Sequence, residues 1–184
     1  VDRESIDFLV LVTQSPLHAL PASACLLHNK LKLNSSCLSF DINLGCSGYV
    51  YALALCGSLI ETGLARQGLI ICSETYSKYI GKKDRTCRPM FSDAAAASLI
   101  GHTTDDTLGP FEMGTEGAGY NNLIVRAGED TASSGSNKLF MNGSEVFMFT
   151  MNMVPKCVNA LLKKSGITIQ DVDLFIFHQA SKLV

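Results

Sequence analysis

The sequence is poor in charged residues. Only 17% of its 184 residues are Asp, Glu, Lys or Arg, against about 25% in an average soluble domain, whereas 47% are hydrophobic. This balance excludes intrinsic disorder of the whole chain. Fifteen Lys and Arg against seventeen Asp and Glu give a net charge of -2, so neither nucleic acid nor a membrane surface is expected as a partner. An apolar run of about 18 residues, which could span a bilayer, is also lacking.

The cysteines lack the spacing of a metal site. The seven of them form no Cys-x-x-Cys pair, which excludes a zinc ribbon and a thioredoxin-like motif, and no metal is expected. Six are predicted to be free thiols that pack as small hydrophobic side chains in a reducing cytoplasm. These six are Cys25, Cys37, Cys56, Cys72, Cys87 and Cys157.

Short apolar runs alternate with helical patterns along the chain. This alternation is typical of an α/β fold with parallel strands covered on both faces. Strands are predicted at residues 6–13, 38–43, 68–73, 94–101 and 174–177, and helices at residues 23–33, 47–62 and 144–164. The helix at 47–62 is apolar almost all round, so it is expected to be buried, with Gly63 at its C-terminal end. Run 94–101 could be helical by its alanine content, but small residues and a final Gly101 favour a strand.

Cys46 differs from the other cysteines because it lies where the predicted strand 38–43 gives way to helix 47–62. The backbone N–H groups and the positive dipole end at a helix N-terminus favour thiolate over thiol. Its small neighbours Gly45 and Gly48 would let a carbonyl group approach closely. Cys46 is therefore a candidate nucleophile, and one more structural cysteine is the alternative.

His178 directly follows the predicted strand 174–177. Ligands of open α/β sheets gather at the carboxyl ends of strands, so a histidine at this position is a candidate for catalysis. A nucleophilic thiol commonly works with an imidazole partner, which links His178 to Cys46. The alternative is a structural histidine whose ring is satisfied by hydrogen bonds.

Five segments in order resemble one enzyme family. They contain Val12-Thr13-Gln14-Ser15, the run 41–48 around Cys46, Lys83-Asp84-Arg85 with the run 90–97, the run 141–147 and His178-Gln179-Ala180. Together these segments are similar to the β-ketoacyl-acyl-carrier-protein synthase III family of the thiolase superfamily. The interval from Cys46 to His178, 178 minus 46 or 132 residues, is also similar to that of the family.

The resemblance implies a thiolase-like α/β fold, in which two βαβαβαββ halves pack as five layers, α-β-α-β-α. Because the sequence opens on Val1 and closes just after an apolar run, we expect only the middle portion of such a protein. Residues 1–127 would be the later part of the N-terminal half, with Cys46. Residues 128–184 would be a loop and the early part of the C-terminal half, with His178.

The resemblance also implies an activity. Cys46 would accept an acyl group from acyl-coenzyme A, and decarboxylative condensation with malonyl-acyl carrier protein would follow, with His178 hydrogen-bonding the thioester carbonyl. Arg85 would hold the nucleotide end of coenzyme A, with a solvated loop charge as the alternative. Phe91 would help to shape the site near the cysteine. Gly143 would lie along the pantetheine tunnel, with a tight turn at a helix start as the alternative.

The partners implied are acyl-coenzyme A and acyl carrier protein, both as substrates, with no permanently bound cofactor. The full-length protein is expected to be a cytoplasmic homodimer. Two other functions stay open: an acyltransferase of the same fold that makes an ester or amide without decarboxylation, and a non-catalytic partner subunit. A catalytic asparagine, expected beyond residue 184, would distinguish condensation from plain acyl transfer.

Overall fold

The computed structural model describes residues 2–104, 108–126 and 137–180. The chain forms two compact units, the first made of Val1–Thr75 and Asp93–Gly109, the second of Tyr76–Ser92 and Pro110–Val184. The division expected between residues 127 and 128, like most of the loop expected after it, lies outside the described residues. That division stays a prediction.

The first unit is built on a four-stranded sheet in the order β2-β1-β3-β4. The strands are β1 (Phe8–Val12), β2 (Leu38–Ile42), β3 (Gln67–Glu74) and β4 (Ala94–Gly101). β1 is parallel to both neighbours, with Phe8 opposite Leu38 on one side and Gly68 on the other. β4 runs antiparallel to β3. The strand predicted at 94–101 is thereby confirmed.

Two helices cover opposite faces of this sheet, α1 (Ser23–Leu31) and α2 (Gly48–Glu61). Side chains of β1 alternate between the faces, as a pleated strand requires. Phe8, Val10 and Val12 pack with residues of α2, among them Ala52 and Cys56. Leu9 and Leu11 pack on the other side with Ala24 of α1. All five residues of β1 are buried, so this strand is the centre of the core.

Each helix of the first unit has an end fixed by a specific residue. α1 has no side-chain cap from Ala22; instead the Asp41 carboxylate of β2 accepts the backbone N–H groups of Ser23 and Ala24, each at 2.7 Å. These bonds satisfy donors that a helix start leaves free. Beyond α2, Gly63 adopts a left-handed conformation with φ 74°, which confirms its expected place at the helix end.

The second unit contains the antiparallel pair β5 (Leu123–Val125) and β6 (Leu139–Met141) and the helix α3 (Gly143–Ser165). Asn142 caps α3, because its side chain accepts the backbone N–H of Glu145. Gly166 ends the helix in a left-handed conformation with φ 68°. No helix in the described part of the chain is long and apolar enough to cross a membrane.

The strand predicted at residues 174–177 is wrong. Residues 174–180 form no ladder with any described residue, and Ile176 is 86% exposed. A strand exists only when a neighbouring strand takes its backbone hydrogen bonds, and an apolar run does not reveal whether that neighbour is present. The rings of Phe175 and Phe177 instead stack on each other, with centroids 5.9 Å apart.

The expectation that helix 47–62 is buried all round is also wrong. Within α2 only Gly48, Ala52 and Cys56 are buried, the three positions that face the sheet or its edge. Tyr49, Val50 and Leu55 lie on the other side and are more than 40% exposed. In the described part of the first unit, the sheet is the only layer that packs on this helix, so the apolar side chains on the outer face of the helix remain exposed.

We predict that Gly68→Ala destabilises the first unit. A Cβ at Gly68 would collide with the ring of Phe8 and lie 2.5 Å from its backbone oxygen, and neither can retreat from the packed centre of the sheet. Overpacking of this kind costs about 1–3 kcal/mol, which urea unfolding would detect as a lower midpoint. Gly114→Ala is the matched control, since a Cβ there meets no atom within 4 Å. Equal midpoints for the two variants would contradict the packing argument.

Candidate active site

Cys46 lies in the turn that joins β2 to α2. Hydrogen bonds fix this turn on both sides: Leu44 N–H donates to the oxygen of Ile42 at 3.0 Å, and Gly48 N–H donates to the oxygen of Gly45 at 2.8 Å. The buried Gly48 packs so closely on Val12 that a Cβ would overlap the valine side chain. The position predicted from the sequence is therefore correct: a rigid strand-to-helix turn presents the cysteine.

The acidity of Cys46 differs from the expectation. Although the residue is exposed by its accessible surface, surrounding protein atoms displace water from the thiol, and this desolvation raises its pKa. The backbone N–H of Cys46 acts in the opposite direction and favours the thiolate, as expected at a helix start, but it is the smaller effect. The Glu74 carboxylate raises the pKa further. The environment of Cys46 thus favours the neutral thiol over the thiolate.

His178 is exposed and lies in the irregular segment after α3. It belongs to the second compact unit, whereas Cys46 belongs to the first. The role expected for His178 in decarboxylation stays a prediction, as does its partnership with Cys46.

Arg85 lies in a strongly basic loop of the second unit. An open cavity of about 620 Å³ on this loop is lined by Lys82, Lys83, Asp84, Arg85, Arg88 and Pro89. Four of these six side chains carry positive charge and one carries negative charge. Such a surface suits a phosphate-bearing ligand, because arginine and lysine donate charge-assisted hydrogen bonds to phosphate oxygens.

Asp84 shapes this basic loop. Its carboxylate accepts the backbone N–H groups of Thr86 at 2.8 Å and Cys87 at 2.9 Å. These bonds stabilise the ionised form and lower the pKa of Asp84, with the Cys87 N–H contributing most. The buried thiol of Cys87 in turn donates to the oxygen of Leu139 in β6. The loop is thereby fixed both within itself and to the β5–β6 pair.

Phe91 and Gly143 occupy different surroundings in the second unit. The half-buried ring of Phe91 stacks on Tyr76, with centroids 5.2 Å apart and planes within 11°. Gly143 is the first residue of α3, and a Cβ there would meet no atom within 4 Å. The turn at the start of α3 therefore gives no steric reason for glycine. The expected roles of Phe91 beside the cysteine and of Gly143 at the pantetheine tunnel stay predictions.

Sequence reasoning did not identify two carboxylates, Glu74, whose charge acts on Cys46, and Asp84 in the basic loop. Glu74 is the last residue of β3, and a polar residue at the carboxyl end of an inner strand could have marked it. Asp84 precedes Arg85 and forms a turn through the N–H groups two and three residues on, which is a recognised habit of aspartate. Among the described residues, no group of three or more His, Cys, Asp or Glu could hold a metal ion.

We predict that Asp84→Ala loosens the loop that carries Arg85. Removing the acceptor frees the amides of Thr86 and Cys87, so their hydrogen exchange should accelerate about fivefold or more. Because the pKa of Asp84 is lowered, wild-type protection should persist above the ordinary carboxyl pKa of about 3.9 and disappear only as the pH falls through the lowered value.

Lys83→Ala is the control for that experiment. It also changes the charge of the loop, but Lys83 makes none of the hydrogen bonds that hold the two amides. Equal acceleration in both variants would show that charge, and not the carboxylate acceptor, orders the loop.

Known proteins of one family are similar to this chain. A family model described as 3-oxoacyl-[acyl-carrier-protein (ACP)] synthase III matches residues 40–117. A β-ketoacyl-[acyl-carrier-protein] synthase III of Caldanaerobacter subterraneus is 34% identical over 188 residues, which are 97% of this chain and 56% of that protein. The chain spans about half the length of the curated relatives it matches.

Solved structures agree with the sequence relatives. A crystal structure of a 3-oxoacyl-(acyl-carrier-protein) synthase III matches all of this chain and 60% of its own, at a TM-score of 0.93 and 38% identity. A 3-oxoacyl-(acyl-carrier protein) synthase from Burkholderia xenovorans matches 98% of this chain and 54% of its own, at a TM-score of 0.88 and 39% identity. The thiolase-like α/β fold expected from the sequence is confirmed, and the chain is similar over nearly its whole length to proteins of the 3-oxoacyl-[acyl-carrier-protein] synthase III family.

Proposed function

We propose that this chain carries the nucleophile of an acyl-thioester condensing enzyme that uses acyl-coenzyme A and malonyl-acyl carrier protein. The observation that carries the proposal is the setting of Cys46, on a turn fixed by β1 and by the start of α2. Similarity to the synthase III family supplies the reaction class. Both substrates arrive activated as thioesters, so the scheme uses no resident cofactor.

The first half-reaction is acyl transfer. The sulfur of Cys46 attacks the thioester carbonyl of acyl-coenzyme A and forms a new carbon–sulfur bond. The bond to the coenzyme A sulfur then breaks, and the proton of the Cys46 thiol ends on the departing coenzyme A thiol. The raised pKa of Cys46 means that this proton is present at the start and must be removed as the attack proceeds. A base is therefore required, which is the general way to activate a weak nucleophile.

The second half-reaction forms the carbon–carbon bond. The malonyl thioester loses CO₂, and the electron pair of the broken bond becomes an enolate. The enolate carbon attacks the acyl group on Cys46, the carbon–sulfur bond to Cys46 breaks, and the thiolate takes up a proton. His178 would donate a hydrogen bond to the thioester oxygen, where negative charge develops, as electrostatic stabilisation requires.

The basic loop supports coenzyme A as the acyl carrier. Lys82, Arg85 and Arg88 line one open cavity, and the phosphates of coenzyme A carry the opposite charge. Asp84 adds one negative charge to the same lining, but its carboxylate is directed to two backbone amides. In this proposal the nucleotide end of acyl-coenzyme A lies against the loop. The alternative for Arg85, a solvated charge, would leave acyl-coenzyme A affinity unchanged on its removal.

We place the reaction in the cytoplasm and in a homodimer. All seven cysteines are free thiols, which suits a compartment that keeps thiols reduced. The homodimer follows from the family resemblance alone. Acyl carrier protein as the second partner likewise follows from the names of the relatives.

We predict that Cys46 becomes acylated. Incubating the complete gene product with acetyl-coenzyme A and with longer straight-chain acyl-coenzyme A esters should add the mass of one acyl group, and peptide mapping should locate it on Cys46. Cys46→Ala should abolish the adduct. Cys56→Ala is the matched control, since that cysteine is buried between α2 and the sheet, and it should leave the adduct in place. Acylation at another residue, or none with any chain length tested, would overturn the proposal.

We predict that His178→Ala separates the two half-reactions. Acylation of Cys46 should remain within about tenfold of wild type, whereas decarboxylation of malonyl-acyl carrier protein should fall at least a hundredfold, roughly the usual effect of losing a donor to developing negative charge. Acyl-enzyme formation would be followed by mass spectrometry and CO₂ release with labelled malonyl substrate. Equal loss of both half-reactions would contradict the role given to His178.

A further inference from the structure

Glu74, at the carboxyl end of β3, is held by the loop that follows β1. Its carboxylate accepts the backbone N–H of Gln14 at 2.8 Å, the hydroxyl of Ser15, and the hydroxyl of Thr13 at 3.4 Å. Thr13 and Ser15 are both 5% exposed, so these are buried polar groups that depend on partners. Ser15 in addition accepts the N–H of Thr75 at 2.8 Å. The carboxylate therefore has a fixed position at this edge of the sheet.

The same edge supports the turn that presents Cys46. The backbone N–H of Thr13 donates to the oxygen of Ile42 at 3.0 Å, which joins the end of β1 to the end of β2. Gly48, at the start of α2, packs against Val12. β1 lies between β2 and β3 in the sheet, with Val12 opposite both Ile42 and Cys72. The nucleophile turn and Glu74 are thus both attached to the end of β1 and the loop that follows it.

The negative charge of Glu74 affects the acidity of two cysteines. It raises the pKa of Cys46, where it adds to desolvation, and it also raises the pKa of Cys72, two residues before it on β3. The elements packed against the turn bring few other titratable groups. β1 has none, the loop after β1 has the exposed His18, β2 has Asp41 at the start of α1, and α2 has Tyr49, Tyr51, Cys56 and Glu61.

We propose that Glu74 is a positioning residue for Cys46: anchored by Thr13, Gln14 and Ser15, its carboxylate holds a fixed negative charge at the edge of the sheet that carries the turn, and this charge disfavours the thiolate until the acyl donor arrives. The catalytic part of this inference rests on the proposed function of Cys46. Its electrostatic part concerns the cysteine itself and holds with or without a substrate.

A neutral thiol has a definite advantage for the proposed reaction. A free thiolate reacts with oxidants and other electrophiles, and its reactivity follows the fraction ionised. A nearby carboxylate suppresses that fraction without removing the thiol. The proton then leaves only when a base assists attack on the thioester, so the acyl donor and the reactive form of the sulfur occur together.

The experiment measures the alkylation rate of Cys46 by iodoacetamide as a function of pH in the complete gene product. Digestion and mass spectrometry resolve the seven cysteines of this chain from any others, and the exposed Cys25 of α1 serves as the internal reference. Glu74→Gln should accelerate the alkylation of Cys46 about three- to tenfold at pH 7 relative to Cys25, because loss of the negative charge raises the thiolate fraction. Glu74→Asp keeps the charge and should stay within about twofold of wild type.

Glu61→Gln is the matched control, because it removes an exposed carboxylate from the far end of α2. It should leave the Cys46 profile unchanged. An unchanged rate in Glu74→Gln would overturn the inference. Equal acceleration in Glu74→Gln and Glu74→Asp would also overturn it, since a loosened loop, and not a lost charge, would then expose the sulfur.

The outcome separates this inference from the proposed function. Alkylation needs no acyl-coenzyme A, so a shifted Cys46 profile in a protein that never forms an acyl-enzyme would contradict the condensing activity alone. An acyl-enzyme on Cys46 together with an unshifted profile in Glu74→Gln would contradict the role of Glu74 alone.

Discussion

The structure of the first unit depends on the burial of β1. Its five apolar residues have parallel partners on both sides and side chains packed on both faces, so its backbone is paired along both edges and its side chains are removed from water. The sheet fixes where β2 and β3 end. It thereby fixes where the turn with Cys46 begins and where Glu74 emerges. An unreactive side chain such as Val12 therefore helps to set the positions of Cys46 and Glu74.

Much of this could be predicted from the sequence, and the failures have physical causes. The strands at β1 to β4 follow from apolar runs bounded by polar or small residues, and Cys46 follows from its place between such a run and a helix. The prediction of a strand at 174–177 was wrong because strand formation depends on a neighbouring strand, which the run itself does not reveal. The expected preference of Cys46 for the thiolate was wrong for a similar reason. The helix start is visible in the sequence, whereas desolvation of the thiol comes from packing and the charge of Glu74 comes from a strand distant in the chain.

Arg85 and Phe91 show a further limit of sequence reasoning. Both lie on the loop of the second unit between Tyr76 and Ser92, and the structure explains how that loop is ordered through Asp84, Cys87 and the stacked ring of Tyr76. Arg85 is a candidate only through the resemblance of the sequence to a family. The structural role of Asp84 could not be predicted in the same way. A single aspartate in a charged loop is indistinguishable from a solvated charge until its hydrogen bonds are known.

The order of strands in the sheet also concerns the synthesis of the chain. β1 is translated first of the four strands, yet its partners lie 30 residues further on for β2 (38 minus 8) and 60 for β3 (68 minus 8). Parallel pairing over such separations closes large loops and is intrinsically slow. A segment with five consecutive apolar residues must therefore leave the ribosome unpaired and wait for both neighbours. Of the four strands, β1 is the most buried in the folded protein and remains unpaired for the longest time during synthesis.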